Sequence, residues 1–164
     1  MAKRLRGDDD LDFARLAEEG RWSDALERAV AEVGADSGTL HLMGADGALH
    51  LAAASAGMPP AVLETVRTVP VGKGMAGLAV LRRQPVDACN IQTDASGDVR
   101  PGARVTGLQG SIVVPLLRDG DAVGALGVAN RSERTFTPDE QDLLLAIGRA
   151  LAGVLAPPPG RSEP

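Results

Sequence analysis

Apolar residues at helical spacing predict two helices near the start of the chain. Residues 10–19 indicate a short helix, and residues 24–33 indicate a second one with an apolar stripe along one face. Ser23 is the expected N-cap of the second helix, because its hydroxyl can accept a hydrogen bond from the first turn. Gly34 follows as the expected stop signal.

A third long helix is predicted at the end of the chain. Its start signal is strong, because Thr137, Pro138 and Glu140 supply an N-cap, a first-turn proline and the glutamate of a capping box. Its apolar stripe is wide enough to meet both a sheet and a partner helix. The stripe consists of Leu143, Leu144, Ile147, Leu151, Val154 and Leu155.

Alternating residues on either side of residues 44–47 predict a β-hairpin. If Met43 pairs with Ala48, the register places His41 directly opposite His50, with leucines on the other face. Two imidazoles alone do not make a metal site, so a polar cross-strand pair is the favoured interpretation. Protonating both histidines, below a pKa of about 6.5, should then weaken folding.

A second hairpin is predicted around Asp119-Gly120, a dipeptide suited to a type I′ turn. This register places Val113 opposite Leu126 and leads us to expect a bulge or unpaired position at Pro115, which lacks an N–H group. Both faces of the hairpin are apolar, so it should lie in the middle of a sheet that is covered on both sides.

The spacing G-x-G-x-x-G occurs at residues 72–77, before a predicted helix that ends near Arg83. A dinucleotide-binding turn of this spacing follows a buried strand and precedes a parallel one. Here the preceding run contains Arg67 and Pro70, and no strand pattern follows. A tight strand-to-helix turn is therefore favoured, with phosphate contact through backbone N–H groups and Lys73 as the alternative.

The rest of the chain divides into connections and tails. Residues 58–67 indicate a short helix with prolines in its first turn, whereas residues 90–109 show no period and suggest a lid, a binding loop or disorder. Residues 1–8 and 156–164 are expected to be disordered tails around one domain at residues 9–155.

Composition narrows the class of function. The chain has 164 residues, 2% aromatic residues and a net charge of -5 without a basic stripe, so nucleic-acid binding is not expected. No apolar run is long enough to span a membrane, and no signal peptide is evident. The single Cys89 fits a reducing compartment, so a cytoplasmic location is expected.

The ordered elements resemble a GAF domain over residues 22–155. The resemblance is carried by the glycines of residues 72–77, the S-x-x-x-P-L strand that begins at Ser111, and the F-T-P-x-E helix start at residues 136–140. It implies an α+β fold, similar to GAF and PAS domains, with a central antiparallel sheet of five or six strands. Terminal helices would cover one face and a small-molecule pocket would lie on the other.

GAF domains are sensory modules that bind cyclic nucleotides, bilins, haem or small metabolites, so the fold does not fix the ligand. The resemblance implies a non-enzymatic protein of signal transduction whose ligand and cofactor are unknown. Its output would pass through a partner protein or a homodimer of terminal helices, built on the stripe Leu144, Ile147, Leu151 and Leu155. A pocket is expected beside residues 90–109, and the candidate ligand-binding residues are Met75, Asn90, Asp94, Arg100, Arg104 and Ser111.

Three other interpretations remain open. Asn130-Arg131, Phe136 and Asp139-Glu140 partly match a motif of cyclic-nucleotide-binding GAF domains that includes an ion pair, although helix capping already explains the acidic residues. A ligand-free interaction module is also possible.

The third alternative is an enzyme, since free methionine-(R)-sulfoxide reductase is a GAF domain that uses cysteines. Met75 and Ala76 stand where that enzyme has a cysteine. Cys89 alone cannot form the internal disulfide that such a cycle needs, and it is interpreted as a small buried residue. Hydrolase motifs are absent from the sequence, so no catalytic residue is assigned.

Overall fold

A computed structural model of the chain describes residues 7–93 and 107–156. Within these ranges, six strands form one antiparallel sheet in the order β3-β2-β1-β6-β5-β4. The strands are β1 (Ser37–Met43), β2 (Leu49–Ala54), β3 (Thr68–Val69), β4 (Val86–Ala88), β5 (Ser111–Arg118) and β6 (Asp121–Ala129). The helices are α1 (Gly7–Glu18), α2 (Trp22–Glu32), α3 (Pro60–Val66), α4 (Gly74–Arg82) and α5 (Pro138–Ala152). The predicted α+β architecture is confirmed.

The sheet separates two apolar clusters. On one face, side chains of α1, α2 and α5 pack with Ile112, Val114 and Leu116 of β5. On the other face, α4 packs with Val113, which alternates with these residues along the same strand. Every residue of β6 is buried, so the hairpin of β5 and β6 lies inside the sheet with both faces covered, as its sequence predicts.

The first helices differ from their predicted bounds. Helix α1 begins at Gly7, so residues 7 and 8 are helical rather than part of a tail. Helix α2 begins at Trp22 with Arg21 as its N-cap, and the assignment of Ser23 as N-cap was wrong. The helix starts earlier because Trp22 packs against the core and the carbonyl of Arg21 accepts from the N–H of Ala25 at 3.1 Å.

Helix α5 has the predicted capping box. Thr137 Oγ1 accepts from the Glu140 N–H at 3.2 Å, and Glu140 Oε1 accepts from the Thr137 N–H at 2.9 Å. These bonds satisfy two N–H groups that the first helical turn leaves without partners. Glu140 also forms an ion pair with Arg134, which the sequence did not indicate.

The apolar stripe of α5 is used inside the chain. Leu144, Ile147 and Leu151 are fully buried in the cluster that α5 shares with α1 and the sheet, and Leu155 packs against it. The prediction that this stripe forms a dimer interface was therefore wrong, because α1 of the same chain is the partner helix. Any association surface has to lie elsewhere.

The first hairpin has a different register from the one predicted. The Gly44 N–H donates to the Ala48 carbonyl at 2.8 Å, so the strands pair first at Met43 and Leu49. His41 then lies opposite Leu51, and a bulge follows at Leu40/His41. The predicted pairing of the two histidines was wrong.

The two histidines instead face opposite sides of the sheet. His50 lies opposite Leu42, next to the position of His41, and adjacent positions on a strand point to opposite faces. The exposed His50 ring donates to Asp46 Oδ1 at 2.9 Å, and this bond lowers the pKa of Asp46.

The second hairpin has the predicted turn but a shifted register. Asp119 and Gly120 have φ values of 51° and 84°, the positive values that a type I′ turn requires. Val113 lies opposite Gly127, and Pro115 is paired with Ala125. The irregularity lies between Leu116 and Leu117, so the predicted partner of Val113 was wrong and the bulge is not at Pro115. On its other side, β5 pairs with β4 only at residues 111–113, so Pro115 has no strand partner there among the described residues. Across residues 7–93 and 107–156, no helix is both long and apolar enough to cross a bilayer.

Candidate ligand-binding cavity

A cavity of about 150 Å³ lies between the sheet and helices α3 and α4. This volume is about ten times what a single water needs, so the space suits a small molecule of several atoms. Its wall combines β1, β5 and β6 with α3 and the first turn of α4. Ile91 and Leu108 also touch it, so the two chain segments that flank residues 94–106 reach the cavity.

The wall is predominantly apolar. Val62, Val66, Val69, Ile91, Leu108 and Val113 supply aliphatic surface, and Met75 adds a flexible thioether. Gly127 leaves room on the central strand, because a Cβ there would lie 3.2 Å from Val113 Cγ2 and 3.3 Å from Thr39 Oγ1. Among the described residues of the wall, Lys73 alone carries a formal charge. An apolar pocket with few polar groups is the common form of a small-molecule site.

His41 is the most deeply buried polar side chain of the described wall, ahead of Ser111. It is 2% exposed, and its Nε2 lies 2.8 Å from the carbonyl oxygen of Val66 at the end of α3. A carbonyl only accepts, so Nε2 carries the hydrogen and Nδ1 presents a lone pair. Among the described residues, Nδ1 has no hydrogen-bond partner. Burial lowers the pKa of His41, while the Val66 carbonyl opposes that shift and His50 adds to it, so the ring is neutral at neutral pH.

We expect the free energy of unfolding to decrease as the pH falls below about 6.5. In that range the unfolded chain protonates His41, whereas the buried ring, with its lowered pKa, resists protonation. The contribution of His41 to the free energy of unfolding is therefore fully present above a pH of about 6.5. It declines towards lower pH by at most about 1.4 kcal/mol per pH unit, the limit for one titrating group. The measurement is the urea midpoint at mildly acidic and neutral pH.

The two histidines provide a matched comparison for this pH effect. His41→Gln should flatten the pH dependence, and His50→Gln should retain it, because the His50 side chain is exposed. Equal midpoints for the natural protein at the two pH values would contradict the argument from burial. The sequence attributed the loss of stability at acidic pH to repulsion between two protonated histidines. In the structure the main cause is the burial of His41 alone.

The glycine turn of residues 72–77 forms one end of the cavity. Gly72 and Gly74 have positive φ values of 90° and 65°, and the Gly72 N–H donates to the Gly77 carbonyl at 2.9 Å. A Cβ at Gly77 would lie 2.4 Å from the Pro70 carbonyl oxygen, so only glycine fits there without movement. The predicted tight turn into a helix is confirmed, and it places Lys73, Gly74 and Met75 at the cavity.

Of the residues expected to bind a ligand, Met75 and Ser111 line the cavity. The Ser111 hydroxyl donates to the Val128 carbonyl at 3.3 Å. Asn90 is not part of the wall, because its Nδ2 donates to Glu133 Oε1 at 2.9 Å and its Oδ1 accepts from the Gln92 N–H at 2.9 Å. Asp94, Arg100 and Arg104 lie outside the described residues.

The partial cyclic-nucleotide motif has a structural role in this chain. Glu140 of the motif pairs with Arg134, which lies outside the motif, and the Arg134 guanidinium also donates to the Val33 carbonyl at 2.6 Å. It lies 4.2 Å from the ring centre of Phe136. Partial burial alone would raise the pKa of Glu140, but bonds from Thr137 and Arg134 outweigh it and lower the pKa. This cluster joins α2 to the start of α5, and none of its members lines the cavity.

Cys89 is exposed and does not line the cavity, so its interpretation as a buried residue was wrong. It directly follows the short edge strand β4. Within residues 7–93 and 107–156, His, Cys, Asp and Glu side chains form no group of three that could hold a metal ion.

Solved structures with this fold include a methionine sulfoxide reductase and the GAF domains of two phosphotransferases. A type II free methionine-R-sulfoxide reductase from Thermoplasma acidophilum is 18% identical, with a TM-score of 0.67 over 86% of this chain and 93% of that one. The GAF domain of an Acinetobacter phosphoenolpyruvate-protein phosphotransferase is 20% identical, with a TM-score of 0.65 over 92% and 93%. The corresponding domain from Coxiella burnetii is 19% identical, with a TM-score of 0.62 over 88% and 90%.

These identities are low enough that the structural similarity shows the fold alone. No curated protein sequence matches the chain significantly. The family profile that matches is that of the GAF domain, and it covers residues 22–156, which is most of the sequence. The chain belongs to the GAF domain family.

Proposed function

We propose that this chain is a non-enzymatic sensory domain of signal transduction, acting in the cytoplasm, that binds a small molecule in the cavity beside His41. The observation that carries the proposal is a preformed, mainly apolar cavity with one buried imidazole nitrogen that has no hydrogen-bond partner among the described residues. Buried polar atoms are usually satisfied, so an unpaired acceptor beside an apolar space is where a ligand gains orientation.

The cavity can be tested by filling it. Ala76 lines the cavity from the first turn of α4, and Ala76→Phe should occupy the space that a ligand needs. We expect the natural protein to be stabilised by a member of a metabolite panel that includes cyclic nucleotides, because a ligand that binds only the folded state raises the melting temperature. Ala76→Phe should remain folded and lose that shift.

Ala61→Phe is the matched control, since Ala61 is exposed on α3 and is not part of the cavity wall. Native mass spectrometry of the purified protein adds an independent measurement of a retained ligand. A protein that retains nothing and responds to nothing in the panel would favour the ligand-free interaction module. An equal thermal response in Ala76→Phe would place the ligand outside this cavity.

A reductase is the weaker alternative. The sequence contains a single cysteine, and that residue is exposed and outside the cavity wall. A thiolate that attacks a sulfoxide needs a second thiol to resolve the product as a disulfide. Sulfoxide-dependent consumption of a reductant by the purified protein, lost in Cys89→Ala, would establish this alternative and overturn the sensory proposal.

The output of a sensory domain has to reach another chain, and the outer surface of α1 and α5 is our candidate for self-association. Leu11 is 66% exposed on α1 and lines a groove together with Ala14, Ala146 and Ala150. Asp10 and Arg149 stand at the same groove with opposite charges. A second copy related by two-fold symmetry can therefore place its leucine over alanines and its aspartate near an arginine.

We expect Leu11→Glu to weaken dimerisation because it places a charge in the apolar centre of this surface. Sedimentation velocity measures the change in the fraction of dimer. Leu81→Glu is the control, since Leu81 is 60% exposed on the unrelated helix α4. A dimer that is unchanged by Leu11→Glu, or a monomer at all concentrations, would exclude this surface.

A further inference from the structure

The hydrogen bonding of His41 indicates which chemical group of a ligand this side chain can bind. Its Nε2 donates to the Val66 carbonyl, which leaves Nδ1 as an acceptor. The side chain is 2% exposed, and no described residue donates to Nδ1. A hydrogen-bond donor on a ligand would satisfy this buried acceptor. A hydroxyl or an amide N–H group meets this requirement, whereas an ether or ester oxygen does not.

A second feature of the wall favours negative charge. Gly74, Met75 and Ala76 form the first turn of α4, where N–H groups have no acceptor within the helix. The N-cap residue Lys73 makes no side-chain capping bond, and all four residues line the cavity. The start of a helix attracts anions through these N–H groups and the helix dipole. Lys73 adds a formal positive charge at the same place.

The charge of the site selects among anions. His41 is neutral, so Lys73 supplies the single formal charge among the described residues of the wall. A carboxylate carries one negative charge and matches it, whereas a phosphate monoester carries between one and a half and two charges. An unmatched charge is costly to bury. The wall that contains both His41 and the start of α4 is mainly aliphatic, and Met75 and Val69 are among its residues.

We propose that the ligand is a small organic carboxylate with a hydrogen-bond donor. Its carboxylate binds the N-terminus of α4 beside Lys73, its apolar body lies against Met75 and Val69, and its hydroxyl or N–H group donates to Nδ1 of His41. This inference rests on the proposed ligand-binding function and adds the chemical class of the ligand.

The test uses ω-hydroxy acids of increasing length, from hydroxybutanoate to hydroxyoctanoate, with dissociation constants from calorimetry. For the length that binds best, removal of the hydroxyl should weaken binding about tenfold, the effect of one hydrogen bond. Conversion of the carboxylate to its amide should weaken binding about tenfold or more, because charge-assisted bonds are stronger. The matching ω-hydroxyalkyl phosphate should bind more weakly than the acid.

Two substitutions assign the contacts. Lys73→Met should reduce the preference for acid over amide, and Arg82→Met, at the other end of the same helix, should leave it unchanged. His41→Phe should remove the preference for the hydroxy acid over the plain acid. If His41→Phe does not fold, ¹⁵N NMR of the natural protein decides, because the Nδ1 resonance should shift with the hydroxy acid and not with the plain acid.

Three results would overturn the inference: no binding of any ω-hydroxy acid, equal affinity for acid and amide, or tighter binding of the phosphate. These results are distinct from failure of the proposed function. If one of the three occurred while native mass spectrometry still showed a retained ligand that Ala76→Phe loses, the cavity would stand as the binding site and the carboxylate with a donor would be excluded.

Discussion

Replacing Leu151 with alanine is expected to lower the free energy of unfolding by about 2–5 kcal/mol. Leu151 is fully buried on α5, in the cluster that α1, α2 and the central strands share. The substitution removes apolar surface from the core and leaves a space that the rigid sheet cannot close. Since domains of this size are stable by about 5–15 kcal/mol, the loss is a large fraction of the total. Urea denaturation measures it.

Leu81→Ala is the matched control, because it removes the same side-chain atoms from an exposed position. Leu81 is 60% exposed, so its truncation should change stability by no more than about 0.5 kcal/mol. If Leu151→Ala instead dissociated a dimer without changing the stability of the monomer, the stripe of α5 would be an interface after all. Its complete burial within one chain argues against that result.

Gly77→Ala is expected to destabilise the protein by about 1–3 kcal/mol, the usual cost of overpacking. The new Cβ would stand 2.4 Å from the Pro70 carbonyl oxygen and 3.1 Å from the Gly72 nitrogen, both of which are backbone atoms that cannot rotate away. Helix propensity alone predicts the opposite sign, because alanine is better than glycine inside a helix by about 1 kcal/mol. The sign of the measured change therefore decides between the two effects.

Gly153→Ala is the matched control for Gly77→Ala. Gly153 has a φ of -58° at the end of α5, and a Cβ there would have no neighbour closer than 3.8 Å. This substitution should be neutral or stabilising by a few tenths of a kcal/mol up to about 1 kcal/mol. A similar loss in both variants would mean that the crowding at Gly77 is not the cause.

The elements of the fold could be predicted because their signals are local. The capping box at Thr137, the Asp119-Gly120 turn and the glycines of residues 72–77 each depend on a few adjacent residues, and each is confirmed. The edge strands β3 and β4 could not be predicted, since they contain two and three residues. Their pairing depends on neighbours that are distant in the sequence.

The registers of the two hairpins were wrong for a related reason. Each hairpin contains an irregularity, at Leu40/His41 and at Leu116/Leu117. In β5 and β6 both faces are buried, so an apolar pattern does not reveal a shift by one residue. In the first hairpin the closing bond of Gly44 to Ala48 adds a residue to the loop.

The same limits apply to the cavity. Met75 and Ser111 could be predicted to lie near the cavity, because the glycine turn and the start of β5 are recognisable in the sequence. His41 was assigned to a pair with His50, because the register decides which face a side chain occupies. Nδ1 of His41 is left as an acceptor without a partner among the described residues because Nε2 donates to the Val66 carbonyl. That hydrogen bond joins residues 25 positions apart, and the sequence does not indicate it.

Helix α5 crosses the sheet at Gly148, where a Cβ would lie 3.2 Å from the Pro115 carbonyl oxygen and 3.6 Å from the Cα of Leu116. At this crossing the backbones of α5 and β5 are nearly in contact. Side chains between them therefore cannot change rotamer to compensate for a displacement of the strand. Val113 of the same strand lines the cavity on the opposite face. A shift of β5 that begins on the cavity side must therefore move α5 directly, across the thickness of a single strand.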